Sequence, residues 1–354
     1  MTPGPRTVGL GAILAASLCM SVSCSSSSSS STTSEDQPDP ACVEPDAGLP
    51  TDVFCTGLYR GRSSTQYASN VMPYQPGVTL WSDGAEKRRY LYLPPSSTID
   101  TSNLDAWKFP VGTKAWKEFR VDGVLVETRL FWKRETKWEA GTYVWDATGA
   151  NATLNTNPKG IILASGYEIP TTKDCDKCHH GGSDRLLGVE AVALALPTAQ
   201  GATLTELAQR GALSHPPATT TVSLPEDATG KAAAALGYVH ANCGMPCHSA
   251  RGLGEETQLV LRVRAGELWP TTGVPSSVAT TDIFLATVGQ EPTTASVAQQ
   301  FPGARRITPG AHDKSLVWLV SHLRGNYQMP PLVSHRIDDV GTQLLADWID
   351  ALPR

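Results

Sequence analysis

Two short stretches hold most of the chemistry open to this 354-residue chain. In Cys175-Asp176-Lys177-Cys178-His179, two thiols stand three positions apart and an imidazole follows the second. This is the C-x-x-C-H attachment signature of c-type haem. Each S–H adds across one vinyl C=C of the porphyrin, sulfur to one carbon and hydrogen to the other. The adjacent imidazole then reaches the iron. With eight Cys and eight His in the whole chain, the combination rarely arises by chance.

Cys243-Gly244-Met245-Pro246-Cys247-His248 has one extra residue between its cysteines. A C-x-x-x-C-H site is chemically feasible if that residue loops out and the sulfurs keep their separation. Other readings compete. Four cysteines suit a structural zinc, but 64 residues separate the pairs and both histidines would go unused. A redox dithiol needs a βαβ context that the sequence does not show. At the second motif, Cu(I) is the main rival, because two thiols with Met and His nearby suit a soft metal.

A small cytochrome c-like domain needs a helix running into the attachment motif, a Met-bearing loop and a C-terminal helix packed across the first. All three occur in order, over 231–242, Gln328-Met329-Pro330-Pro331 and 338–352. The prolines stiffen the loop that presents the thioether. His248 and Met329 are therefore the expected axial pair of a second haem, a ligation that raises the potential. The first haem takes His179, and its sixth ligand stays open. His180 adjoins His179 and cannot reach the far face. Met72 and His215 are the remaining donors.

Positioning elements can be read around these motifs. Residues 89–93, 117–121, 124–132 and 142–145 are rich in aromatic and β-branched residues, and Asp122-Gly123 marks a hairpin. Six of nine Trp fall between Trp81 and Trp145, which fits a β core better than a sugar-stacking surface. Helices are expected at 203–213, 231–242, 313–324 and from Asp338, with Val340, Leu344, Leu345, Trp348, Ile349 and Leu352 as one apolar stripe. A strand is expected at 259–263. The fold class is α+β: a Trp-rich antiparallel β domain over 55–168, a first haem segment over 169–230 and a mainly helical cytochrome c-like domain over 231–354.

Residues 1–23 read as an export signal, with Arg6 the sole charge and 8–22 nearly all apolar or small. Ser21-Val22-Ser23-Cys24 looks like a lipobox with Ser21 in place of an aliphatic residue, making Cys24 the lipid anchor. The serine tract after it is a flexible tether, and 24–54 is the linker. Export implies an oxidising compartment, where Cys42 and Cys55 are expected to form a disulfide. The expected location faces the periplasm, anchored to the outer membrane of a Gram-negative bacterium. A net charge of −5 excludes a generic nucleic-acid binder. A charged fraction of 18%, below the usual ~25%, fits a loop-rich exported protein.

With these residues in place, the chain resembles a family of proteobacterial diheme c-type cytochromes, often lipoproteins. The resemblance spans 55–352. It rests on Leu80-Trp81-Ser82-Asp83-Gly84-Ala85-Glu86-Lys87-Arg88-Arg89-Tyr90, Phe109-Pro110-Val111-Gly112-Thr113, Glu127-Thr128-Arg129-Leu130 and Tyr143-Val144-Trp145. It continues in the first cysteine motif, Leu186-Leu187-Gly188, Ala241-Asn242-Cys243, Ile307-Thr308-Pro309-Gly310 and Met329-Pro330-Pro331. The resemblance implies two covalent haems c and a periplasmic redox role, with no defined substrate. The chain departs from the family at Cys243 and Cys247, where two intervening residues are usual, so haem and copper both stay open there. The expected activity is electron transfer with a periplasmic or membrane redox protein. A diheme peroxidase-like enzyme and a non-haem copper lipoprotein are the alternatives.

Overall fold

The computed structural model describes Met1 and residues 41–180, 184–250 and 252–354. The export signal, Cys24 and the serine tract lie outside the described residues. Contacts divide the chain into Met1–Glu35 and Asp36–Arg354, and the sheet and helices all belong to the second unit.

A seven-stranded antiparallel sheet dominates the N-terminal half. Its strands are β1 (Met72–Gln75), β2 (Glu86–Tyr92), β3 (Lys114–Val121), β4 (Val124–Lys133), β5 (Trp138–Trp145) and β6 (Ala152–Leu154), joined later by β9 (Gln200–Gly201). The order is β6-β5-β4-β3-β2-β1-β9. Asp122 and Gly123 close the β3–β4 hairpin with φ of +51° and +80°, the doubly positive geometry that a two-residue turn requires. A small hairpin of β7 (Ile161–Ile162) and β8 (Glu168–Ile169) leads into the first cysteine motif.

The sheet's two faces differ because side chains alternate along each strand. Tyr90, Trp116, Leu130, Trp132, Tyr143 and Trp145 point to one face and are buried with Val53, Phe54 and Leu58 from the N-terminal segment. That segment is tied by the Cys42–Cys55 disulfide. Of the six clustered tryptophans, five are buried and Trp81 is half-buried. The other face carries Leu91, Ala115 and Phe131 at one end, packed under α2 (Ala191–Ala195) and α3 (Leu204–Gln209). At its other end it opens into a cleft. The sheet recruits chain beyond 168, because β9 pairs with β1 through Tyr74↔Gly201 and Gln75↔Gln200.

The C-terminal half holds α4 (Ala232–Val239), a π-helical turn at His240–Gly244, α5 (Ala265–Leu268), α6 (Asp282–Thr287), α7 (Ala295–Gln300), α8 (Leu316–Ser321) and α9 (Asp339–Ala351). Ala232, Ala235, Leu236 and Val239 of α4 share a core with Leu345, Trp348 and Ile349 of α9. The two helices meet so closely that a Cβ on Gly341 would lie 2.0 Å from the Tyr238 ring. Asp338 caps α9 by accepting from Gly341 N–H at 2.9 Å.

Several expectations change. Residues 259–263 form no strand: Leu261 N–H bonds to His248 O and Val263 N–H to His240 Nδ1, so this extended segment zips onto the second motif. The helix expected from 313 begins at Leu316, because Leu316 and Val317 donate to the Arg305 and Arg306 carbonyls. The helix expected over 203–213 stops at Gln209, and Leu213 instead bridges to Ile99. Val340 is 75% exposed and leaves the apolar stripe of α9.

Candidate functional site

The first motif lies on α1 (Thr172–Cys178), a regular α turn. Thr171 and Asp174 form a reciprocal capping box at its start, satisfying two otherwise orphaned N–H groups. His179 caps the end of α1, and its N–H makes the last i→i−4 bond to Cys175 O at 3.1 Å. The second motif starts in the π turn that continues α4. Met245 N–H bonds to His240 O, and His248 N–H to Cys243 O at 2.8 Å, both spanning five residues. A π turn takes up roughly one more residue than an α turn. Cys243 O also takes Cys247 N–H at 3.2 Å, so the longer spacer of C-x-x-x-C-H is held in a closed turn between the two cysteines.

The fold brings both motifs to one cleft that opens to solvent. Cys175, Cys178, His179, Cys243, Cys247, His248 and Met329 all line it. Cys178 is close enough to Cys247 to raise its pKa. The four cysteines are free thiols, in contrast to the Cys42–Cys55 pair. Burial pushes all four upward, Cys243 to about 12 and Cys247 to about 11. Among the described residues, no three His, Cys, Asp or Glu side chains converge as a metal-ligand group.

Each motif imidazole has a partner at Nδ1. His179 Nδ1–H donates to Arg185 O at 2.5 Å, and its ring stacks on Phe131 with centroids 4.2 Å apart. His248 Nδ1 lies 3.3 Å from Thr257 Oγ1. The Thr257 hydroxyl hydrogen is committed to Gly254 O at 2.6 Å, so Oγ1 accepts and His248 Nδ1 donates. Both rings therefore carry their proton on Nδ1 and keep the Nε2 lone pair, the tautomer an iron ligand needs. Burial holds both rings neutral, His179 well below its ordinary pKa with Lys117 adding to the effect, and His248 at about 4.

Gly254 makes room for the second ring, and Gly244 for the backbone of Leu261. A Cβ on Gly254 would lie 2.5 Å from His248 Nδ1, and one on Gly244 would lie 2.2 Å from Leu261 O. The Met329 loop is braced by Gln328, whose amide takes Gly325 N–H at 2.8 Å and gives to Pro330 O and Ser334 O. Met329 N–H itself bonds to Val320 O at 2.7 Å. Two contacts tie this region to the sheet side. Asp83 accepts from His335 and Arg336 N–H, while Asn242 Oδ1, next to Cys243, accepts from Trp81 N–H at 2.6 Å.

Met72 and His215 do not join the cleft. Met72 sits on β1 beside a separate depression bounded by Ser69 and Arg210, and His215 is exposed, bonded to Ser214. Residues that single-sequence reasoning did not assign include Phe131, Thr257, Gly254 and Gln328. The Gly252-Leu253-Gly254 triplet just after His248 was the one local signal for them. The donor set, two thiols plus one Nε2-presenting imidazole at each motif, fits covalently attached haem, with Met329 as a further thioether donor on the cleft wall. No protein-family model, curated protein or solved structure matches this chain in comparisons.

Proposed function

We propose that this chain is an exported diheme c-type cytochrome that passes electrons between redox partners. The observation that carries the reading is the meeting of both Cys/His motifs and Met329 in one cleft, with each motif imidazole donating from Nδ1. Cys175 and Cys178 would tether one haem and Cys243 and Cys247 the other. His179 and His248 would ligate the irons, with Met329 completing the second. The bound haems supply reversible one-electron chemistry.

The chain's own side chains do the rest. Phe131 holds the His179 ring by stacking, and Gly254 leaves space for that of His248. Trp81 and Leu253 line the cleft, and Leu253 is 53% exposed, an apolar contact for a partner at the mouth. The meeting of both motifs in one cleft favours exchange between the two sites. The π turn favours haem over copper at the second motif, because it gives the longer spacer a helical start. Among the described residues no helix is long and apolar enough to cross a membrane. Attachment is proposed through a lipid at Cys24, facing the periplasm.

The test is a count of covalent haems. The chain is expressed with c-type maturation machinery, then weighed intact beside a pyridine haemochrome spectrum. Two haems are expected. One haem, mapped to Cys175 and Cys178, would make the second motif a copper or dithiol site, and none would overturn the reading. Met329→Ala should keep both haems and open one iron to added ligands; unchanged ligand binding would remove Met329 from the site.

A second reading comes from the places of Met72 and His215. With both off the cleft, His248 and Met329 are the only other imidazole and thioether lining it among the described residues. An iron on His179 that lacks them would accept an outside ligand, as a peroxidase-like enzyme requires. Peroxide turnover with a reduced donor supports this reading, and its absence in the diheme protein removes it.

A further inference from the structure

The cleft floor carries an excess of positive charge that the haem tethers do not explain. In the sheet register Arg89 stands opposite Lys117, and Lys117 opposite Arg129. Lys87 lies two residues before Arg89 and points to the same face. All four line the cleft. They come from β2, β3 and β4, so the row is a product of strand pairing and not of one local stretch.

The balancing anions are few. Arg129 is paired with Glu127 at 2.6 Å and 3.0 Å. Arg89 is 3% exposed, yet its side-chain partner is the neutral Gln75, at 2.8 Å. Lys87 donates to Leu80 O and Ser82 Oγ, both neutral. Among the described residues, Lys117 Nζ has no hydrogen bond or ion pair. The two carboxylates in the cleft wall are engaged elsewhere: Asp174 in the α1 capping box and with Lys177, Asp338 at the start of α9. Cations placed side by side in a partly dry cavity repel one another and lose hydration. Burial, with Arg89 and Arg129 alongside, drops the Lys117 pKa to about 7.

We propose that the row Arg89, Lys117 and Arg129, flanked by Lys87, is an anion seat that takes a carboxylate or a small oxyanion. The anion has two available sources: a carboxylate of a haem tethered in the same cleft, or a free oxyanion entering from solvent. The first source rests on the proposed haem attachment, whereas the second stands without it. An anion seated there gives Lys117 its missing partner and turns a repulsive row into charge-assisted hydrogen bonds.

The test uses the full-length protein as matured, with Lys117→Met, Lys117→Gln and Lys117→Arg variants. Thermal melting reads the seat through a sign. If an anion occupies the row, Lys117→Met melts lower than wild type and Lys117→Arg restores it. If the row is empty, replacing a buried amine that has no partner raises the melting temperature, and the proposal is overturned. Sulfate titrated by calorimetry at low ionic strength then separates the sources. Binding near one per chain, weakened about tenfold or more in Lys117→Gln, assigns a free oxyanion. No sulfate binding, with a haem midpoint potential that falls in Lys117→Gln and returns in Lys117→Arg, assigns a haem carboxylate. No sulfate binding with unmoved potentials overturns the seat. If maturation yields no haem, the function reading fails by itself, and sulfate binding to the haem-free chain alone upholds or overturns the seat.

Discussion

The two Cys/His motifs present the same donor types, yet they are built differently. The first sits on a short α turn started by a capping box, with its spacers Asp176 and Lys177 outside the core. The second starts in a π turn at the end of a buried Ala-rich helix, with Met245 buried and Gly244 pressed against the Leu261 backbone. Nδ1 of His179 is held by a main-chain carbonyl, and Nδ1 of His248 by a threonine hydroxyl. One chemical demand has thus been met once by local sequence and once by tertiary packing. The second motif should accordingly be the more fragile.

The largest expected effect tests that contrast in the spacers. Gly244→Ala places a Cβ 2.2 Å from Leu261 O, a backbone atom that cannot swing away. A loss of about 3 kcal/mol in unfolding free energy is expected, as for other severe backbone clashes. Lys177→Ala in the first motif removes only a half-exposed pairing with Asp174, worth less than about 0.5 kcal/mol. Denaturant unfolding of both variants measures the difference. Equal losses would remove the distinction between the motifs.

Next in size is a substitution confined to one imidazole. Gly254→Ala drives a methyl into the His248 ring, 2.5 Å from Nδ1, and leaves the stack of His179 on Phe131 untouched. If both motifs carry the proposed haems, only one of the two haem signals should change its ligand-binding behaviour, read by carbon monoxide or cyanide difference spectra. A change at both sites would mean that the ring positions are coupled across the cleft.

A buried clasp joins the chain just before the second motif to the segment after the first. Glu190 takes Val192 and Ala193 N–H at the start of α2 and His240 Nε2–H at 3.3 Å. His240 Nδ1 accepts from Val263 N–H, which requires the Nε2-protonated tautomer. Burial alone would raise the Glu190 carboxyl, but His240, Arg262 and the backbone donors hold it below its ordinary value. A depressed carboxyl contributes stability that is complete above its unfolded pKa and is lost as pH falls through the folded one. Unfolding free energy should thus decline in the acidic range below about pH 4 to 5. Glu190→Gln should flatten that decline and cost about 1–3 kcal/mol at neutral pH. An unchanged pH profile would take Glu190 out of the account.

The sheet was largely readable because alternating aromatic and β-branched residues and the Asp122-Gly123 turn are local signals. So were the cysteine motifs and the cap at Asp338, which announce themselves within a few residues. What single-sequence reading missed is relational. The 259–263 segment has strand composition, but its N–H groups go to His248 O and His240 Nδ1. The π turn leaves no compositional mark, since Ala-rich helix and π turn read alike. Met72 and His215 were offered as ligands on residue type alone, and the fold carries both away from the cleft. The cation row needs three strands in register before Arg89, Lys117 and Arg129 become neighbours.

The smallest effect concerns the partners of the two imidazoles. Thr257→Val keeps the branched shape but removes the hydroxyl that accepts from His248 Nδ1. Such an acceptor makes the ring a better donor to a metal and stabilises the oxidised iron. With the proposed haems bound, its loss should raise the midpoint potential at His248 and leave that at His179 where it is. Stability should fall by only about 1 kcal/mol, because the Thr257 bond to Gly254 O goes as well. No side-chain substitution can delete the acceptor of His179, which is the Arg185 carbonyl. On the proposed haem reading, the second site's potential would be open to tuning by a single residue, whereas that of the first would be tied to the backbone. A Thr257→Val shift appearing at both haems, or at neither, would show that the hydroxyl does not set this asymmetry.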